Sequence, residues 1–328
     1  AGGHPPPGSF EGKTVVVTGG GTGLGLDISR GFASLGATVV IPSRSPENQA
    51  AFLEEAADRG WRAAGRQVDV RDAADVRRMA DSVKEEFGPA DVLINNAAGN
   101  FVCPAERMSS NAWRAVLGIV LDGTFYCSKE FGKQMMRGGD GDAPRGGSIV
   151  NIIATYAWTG MAGVVHSASA KAGVLAMSKT LAVEWARYGI RNNCVAPGPF
   201  ESDGAKQNLW PSDDVEQRIR ESVPLQRFAD RREVAAQVLW LASEAAAYVT
   251  GANITIDGGM SLGAGRMWEP GQRLERRRRT MRGIIFQTSA SRHSKRARCS
   301  TNKPAVLGSA RDVAAAKKSR SQTRRRWA

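Results

Sequence analysis

The chain has 328 residues, a net charge of +13 and four cysteines, Cys103, Cys127, Cys194 and Cys299, scattered without CxxC or Cys/His ligand spacing. That usage speaks against a disulfide framework and a metal centre, and for reduced thiols in a cytoplasmic setting. No run of about 18 apolar residues occurs and the opening AGGHPPPGS is too polar for a secretory core, which excludes a membrane-spanning or exported class.

In chain order, residues 1–9 read as a flexible segment, and the apolar runs of residues 10–263 read as one α/β domain. Thr14 to Thr18 is a continuous apolar run, as in a strand buried on both faces. A helix is predicted over Leu24 to Leu35, a strand over Ala37 to Ile41, and a helix over Gln49 to Arg59. A third strand ends in Val68-Asp69-Val70, a helix spans Ala73 to Phe87, and a fourth strand runs from Asp91 to Asn95. One long helix follows near Asn111 to Met136, then a strand at Ser148 to Ile153, a helix at Ala168 to Tyr188 and a strand at Arg191 to Ala196. Residues 198–222 read as an irregular polar flap, before a last helix, Arg232 to Ser243, and a strand, Asn253 to Asp257. The alternation predicts a Rossmann-type, doubly wound, seven-stranded parallel sheet flanked by helices, with ligands at the carboxyl ends of the strands.

Residues 264–328 break the pattern. From Arg266 onward there are 19 Lys+Arg against 3 Asp+Glu, a net of +16, so the preceding 265 residues carry a net of −3. This tail, without sustained apolar periodicity, reads as a solvated, disordered extension; nucleic-acid binding through it is the less favoured reading.

Between the first strand and helix stands Thr18-Gly-Gly-Gly-Thr-Gly-Leu-Gly25. Gly19, Gly23 and Gly25 allow the tight turn that brings a dinucleotide pyrophosphate to the helix N-terminus, beside Thr22 and Leu24. The second strand ends Ile41-Pro42-Ser43-Arg44, with no carboxylate for a ribose 2′-hydroxyl. Ser43 and Arg44 suit a 2′-phosphate instead, pointing to NADP(H) over NAD(H), although Arg44 also reads as an ordinary surface arginine. Asp69 is placed for the adenine edge.

TGGGTGLG, Asn95-Asn96-Ala97-Ala98-Gly99 after the fourth strand, Lys171 near a helix start and Pro197-Gly198 after the sixth strand together resemble the short-chain dehydrogenase/reductase family over about Gly12 to Gly263. That family uses Ser, Tyr and Lys, with Tyr four residues before Lys; here the place holds Ser167, and Ala154 stands near where the serine is expected. Serine is too short and too weakly acidic to replace the phenol. Tyr156, fifteen residues before Lys171, with Asn96-Ala-Ala-Gly-Asn100-Phe101 and Val164-Val-His-Ser-Ala-Ser-Ala-Lys171, resembles the 2,4-dienoyl-CoA reductases, which carry a displaced tyrosine.

The resemblance implies NADPH-dependent reduction of an acyl-CoA thioester in unsaturated fatty acid β-oxidation. Tyr156 and Asn100 bond the thioester oxygen, Lys171 holds the nicotinamide ribose, and Asn96 and Pro197, Gly198, Pro199 and Phe200 line the cofactor. Arg71, Phe101, Ser109 and Ser167 match substrate positions, and relatives form homotetramers through the helices near 111–136 and 168–188. Asp122 stands where the family usually has Asn, suggesting a proton relay or a helix kink, and Asn208 where relatives carry a phosphate-binding arginine. Plainer readings stay open: Tyr156 as a packing aromatic, Asn100 as a turn residue. His166 beside Ser167 is a poor hydrolase pair, because adjacent helical residues do not face one another. Rival readings are a 3-oxoacyl or carbonyl reductase, a catalytically silent NADP(H)-binding protein, and a nucleic-acid-associated protein acting through the tail.

Overall fold

A computed structural model describes residues 5–137, 143–201 and 212–262. Asn208, Cys299 and the basic segment 264–328 lie outside the described residues, as does the middle of the expected flap.

Seven strands form one sheet in the order β3-β2-β1-β4-β5-β6-β7. They are β1 (Thr14–Val17), β2 (Thr38–Ser43), β3 (Ala63–Gln67), β4 (Val92–Asn95), β5 (Gly147–Ile152), β6 (Ile190–Pro197) and β7 (Asn253–Ile256), and every pairing is parallel. The order reverses between β1 and β4, so their carboxyl ends open a crevice at the switch point.

The TVVV run explains the burial of β1. Val15 and Val17 point into a core with Ile28 and Phe32 of α1 (Gly23–Ser34) and Val238 and Leu239 of α9 (Arg231–Ala242). Val16 points to the opposite core, with Val76 and Met79 of α3 (Ala73–Phe87) and Phe131 and Met135 of α5 (Gly123–Met136). A strand clothed on both faces has no reason to alternate polar residues. Each valine so buried contributes about 1.5–3 kcal/mol.

Helix ends follow local chemistry. Asp72 caps α3 by accepting from Ala74 N (2.8 Å) and Asp75 N (3.1 Å), and Gly88, at φ +81°, ends it. Asp230 and Glu233 form a capping box on α9. Between α1 and α3 lies α2 (Glu47–Asp58).

Four expectations need correction. β3 stops at Gln67 rather than Val70, because Asp69 N turns aside to the Asp75 carboxylate (2.8 Å). The long helix expected near 111–136 is two helices, α4 (Ser110–Leu117) and α5, joined by a π-helical stretch, Gly118–Asp122. The stretch expected to be irregular up to Ser222 contains a helix, α8 (Asp213–Ser222), whose acidic first turn favours the helix dipole. The helix expected at 168–188 begins earlier, as α7 (Val165–Trp185), preceded by a one-turn helix, α6 (Tyr156–Thr159).

Across β4, β5 and β6 runs a buried amide ladder. Asn95 Nδ2 donates to Asn151 Oδ1 (2.8 Å) and to Ser128 Oγ of α5 (3.0 Å). Asn151 Nδ2 donates to Asn192 Oδ1 (2.8 Å) and to Ser178 Oγ of α7 (3.2 Å), and Ser178 Oγ donates to Asn192 Oδ1 (2.6 Å).

Candidate active site

The crevice at the switch point is stitched by Thr18, the residue after β1. Its hydroxyl accepts from Asn96 N and Ala97 N, both at 2.9 Å, while its amide donates to Ile94 O (3.0 Å). Asn96 Nδ2 donates to Thr18 O (3.0 Å) and to Gly19 O (3.3 Å). Asn96, expected at the cofactor, therefore also fixes the backbone of the glycine loop; Thr18 itself escaped the sequence reading, although it ends the TVVVT run.

Gly19 and Gly23 take φ values of +64° and +53°. A Cβ on Gly25 would fall 2.2 Å from Gly19 O and 2.6 Å from Asn96 Nδ2, so the loop closes on itself and only glycine fits there. Thr22 precedes α1 without a side-chain cap, which leaves first-turn N–H groups, including those of Gly23 and Leu24, without a side-chain acceptor. Ser43 ends β2 and accepts from Val68 N through its carbonyl (3.0 Å). Arg44 is exposed, with no ion pair among the described residues, and its charge helps to lower the Asp69 carboxyl. A cradle that a Cβ would fill, an uncapped helix start and a free guanidinium together suit a dinucleotide phosphate.

Asp69 is engaged with Arg71. The Arg71 Nε donates to Asp69 Oδ1 (2.9 Å), its Nη2 to Oδ2, and its backbone N to Oδ1 (3.0 Å), which holds the carboxyl below its usual range. The adenine-side and substrate-side expectations thus fall on one half-exposed pair.

At the carboxyl ends of β4 and β5 the chemistry gathers. Tyr156 opens α6, four residues past β5, and its phenol oxygen lies 3.0 Å from Ser167 Oγ. Asn100 Nδ2 donates to the same phenol oxygen (3.4 Å), and Asn100 Oδ1 accepts from Phe101 N (3.0 Å). Burial pushes the Tyr156 hydroxyl up, the Ser167 bond opposing it, so the phenol stays protonated and able to donate. The structure thus brings together Tyr156, Asn100 and Ser167.

Lys171 stands one turn after Ser167 on α7, fully within the protein, donating to Ile152 O. Burial lowers its ammonium to about 8, with Cys194 opposing, and burial raises the Cys194 thiol to about 11. Lys171 shares this face of α7 with Ser167 and Ser178, the i, i+4, i+11 positions that meet the sheet.

His166 is wholly buried, and neither ring nitrogen has a hydrogen-bond partner among the described residues. Its ring lies 4.4 Å from that of Phe101, tilted by 50°. In the sequence its place beside Ser167 suggests only a poor Ser/His pair, and nothing in its spacing marks this isolation. Ser109 caps α4, accepting from Ala112 N (3.1 Å), at the surface. Asp122 is exposed at the end of the π-helical stretch. Pro197, Gly198, Pro199 and Phe200 leave β6 at the same sheet edge; Ala229 N donates to Pro199 O (3.1 Å), and a Cβ on Gly198 would meet Asp257 at 2.7 Å.

A family model described as enoyl-(acyl carrier protein) reductase matches residues 19–261. The chain is 44% identical over 254 residues, covering 77% of itself and 98% of the other protein, to a Bacillus subtilis protein named "Probable 2,4-dienoyl-CoA reductase". It is 41% identical over 258 residues, 78% of itself and 86% of the relative, to the peroxisomal 2,4-dienoyl-CoA reductase of Pongo abelii. Among solved structures, a short chain dehydrogenase from Bacillus anthracis matches at 44% identity with a TM-score of 0.68, covering 78% of this chain and 99% of that one. A gluconate 5-dehydrogenase from Burkholderia cenocepacia, in complex with NADP and tartrate, matches at 29% identity with a TM-score of 0.72, covering 77% and 96%. These matches converge on one fold and on oxidoreductases.

Proposed function

The chain belongs to the short-chain dehydrogenase/reductase family, and from that premise we propose that it reduces 2,4-dienoyl-CoA thioesters with NADPH, a step of unsaturated fatty acid β-oxidation. The observation that carries this reading is the cluster of Tyr156, Asn100 and Ser167, with its 3.0 Å and 3.4 Å contacts, in a family where the tyrosine normally stands at position 167.

When bound, the reduced nicotinamide supplies the hydride. The residues of the chain have to manage the charge that follows: electrons pushed through the diene accumulate on the thioester oxygen. Tyr156 Oη and Asn100 Nδ2 are neutral donors, each with a hydrogen free to turn to that oxygen, and their partial burial strengthens the interaction. Ser167 holds the phenol in place. A neutral donor pair suffices here because the proton is finally required on carbon, so no strong acid need protonate oxygen. Lys171, with its ammonium lowered to about 8, still carries most of its charge at neutral pH and makes the nicotinamide-ribose corner positive.

Ser43 and Arg44 hold the 2′-phosphate that distinguishes NADPH from NADH, Gly19 to Gly25 the pyrophosphate, Asp69 the adenine edge, and Pro197 to Phe200 the nicotinamide end. Arg71, Phe101 and Ser109 border the thioester. The exposed Phe125 of α5 and Val183 of α7 support association through these two helices into a homotetramer. Cysteine spacing without a disulfide or ligand pattern, with Cys103, Cys127 and Cys194 free among the described residues, supports a cytoplasmic location; no helix among the described residues is long and apolar enough to cross a membrane.

The test follows NADPH oxidation with a 2,4-dienoyl-CoA and, in parallel, a 3-oxoacyl-CoA. Turnover of the dienoyl substrate is expected; turnover of the oxoacyl substrate alone, or of neither, refutes the reading. Replacing Arg44 with alanine is expected to raise the KM for NADPH at least tenfold, the loss of one charge-assisted phosphate contact of about 1.5–3 kcal/mol, with little change for NADH.

A further inference from the structure

Two short segments frame the phenol of Tyr156, and they run alongside one another. Asn100 bonds Tyr156, the Phe101 ring lies tilted against that of His166, Val102 lies against Gly163, and Cys103 N donates to Gly163 O at 2.8 Å. These segments, residues 99–105 and 156–167, contain no carboxylate, lysine or arginine. They nevertheless present four large apolar side chains to solvent: Val102 at 54% exposure, Met161 at 50%, Trp158 at 43% and Val165 at 38%.

The placement is regular. Val102 stands two residues after Asn100, Trp158 two after Tyr156 and Val165 two before Ser167. All four exposed side chains therefore belong to the two segments that carry the polar cluster, which Val102 and the Cys103–Gly163 bond hold together. Among the described residues nine large hydrophobic side chains are exposed, and the other five are spread over α5, α7, the 225 and 248 loops and Leu262. Apolar side chains exposed on the same two segments that carry a site for the thioester oxygen have an obvious occupant: whatever carbon chain that thioester carries beyond its conjugated carbons.

Building on the dienoyl-CoA reading, we propose that Val102, Trp158, Met161 and Val165 form an open trough that takes the saturated tail of the acyl chain, giving the enzyme a preference for longer chains. Complete burial of a methylene is worth about 0.8 kcal/mol, close to fourfold in affinity; a trough open on one side yields about half of that, roughly twofold per methylene.

The experiment measures kcat/KM for 2,4-dienoyl-CoAs of rising chain length and, independently of turnover, the Kd of butanoyl-CoA and dodecanoyl-CoA by calorimetry. Wild-type protein is expected to bind dodecanoyl-CoA at least roughly tenfold more tightly than butanoyl-CoA. In Trp158→Ser/Met161→Ser the long-over-short ratio is expected to fall towards one in both measurements, and Trp158→Phe to restore most of it. Equal Kd values for the two thioesters, or a ratio unchanged in the double variant, overturn the trough. Absence of any dienoyl turnover overturns the reaction instead, and the calorimetric ratio still decides the trough. Both replaced side chains are exposed, and a variant with native far-ultraviolet dichroism that keeps the wild-type ratio counts against the proposal.

Discussion

Burying an imidazole without a partner for either nitrogen forces it to be neutral, and burial holds the His166 pKa below its ordinary 6.5. The unfolded chain therefore takes up a proton near pH 6.5 that the folded chain refuses. Stability is fully present above that pH and falls as the pH drops below it, by up to about 1.4 kcal/mol per pH unit, until the folded pKa is reached. Thermal melts between pH 6.5 and 5 are expected to show this slope in the wild type and its absence in His166→Leu; parallel melts would mean that the ring finds a partner. At Tyr156 the prediction concerns rate. Tyr156→Phe removes one of two donors to the oxyanion and is expected to lower kcat by roughly a hundredfold while leaving the Kd for NADPH nearly unchanged. Full activity in that variant would return the tyrosine to a packing role. The meeting of Tyr156 with Asn100 was legible in the sequence because each follows a recognisable strand end. The isolation of His166 was not, since a lack of neighbours is a property of tertiary packing and leaves no mark on local spacing.

Elements of the sheet were easier to read than the helices beside it. Continuous apolar runs gave the strands to within a few residues, because strands buried on both faces need apolar side chains at every position. The break in the long helix escaped notice: a π-helical stretch inserts one residue into an otherwise helical pattern, and apolar positions shifted by one still resemble an amphipathic face. Space supplies a reason for the glycine there, as a Cβ on Gly123 would meet Val70 at 2.9 Å. The residues of α8 form no buried stripe, so their sequence reads as a polar loop. The glycine loop permits a sharper test. Gly25→Ala would place a methyl 2.2 Å from Gly19 O, a backbone atom that cannot simply rotate away. Tm is expected to fall by roughly 5 °C and NADPH affinity to drop with it; a variant that melts and binds like the wild type would show that the loop can open at no cost.

For the molecule as a whole, charge and fold are separately encoded. The described residues belong to one unit, Ala1–Met267, and the basic excess lies almost wholly beyond it. Truncation after Gly265 is expected to leave dienoyl-CoA turnover unchanged and to abolish salt-sensitive retention on heparin, as the net charge changes from +13 to −3. Lost turnover would tie the segment to the reaction. Within the unit, the amide ladder of Asn95, Asn151 and Asn192 has a further consequence. Sliding any one of these strands by a single residue would turn its amide to the opposite core and leave its partners' donors and acceptors stranded among valines, at about 1–3 kcal/mol for each. The ladder therefore works as a ruler: it fixes the register of three strands, and with it where the segments carrying Asn100, Tyr156 and Pro197, each launched from a different strand, leave the sheet.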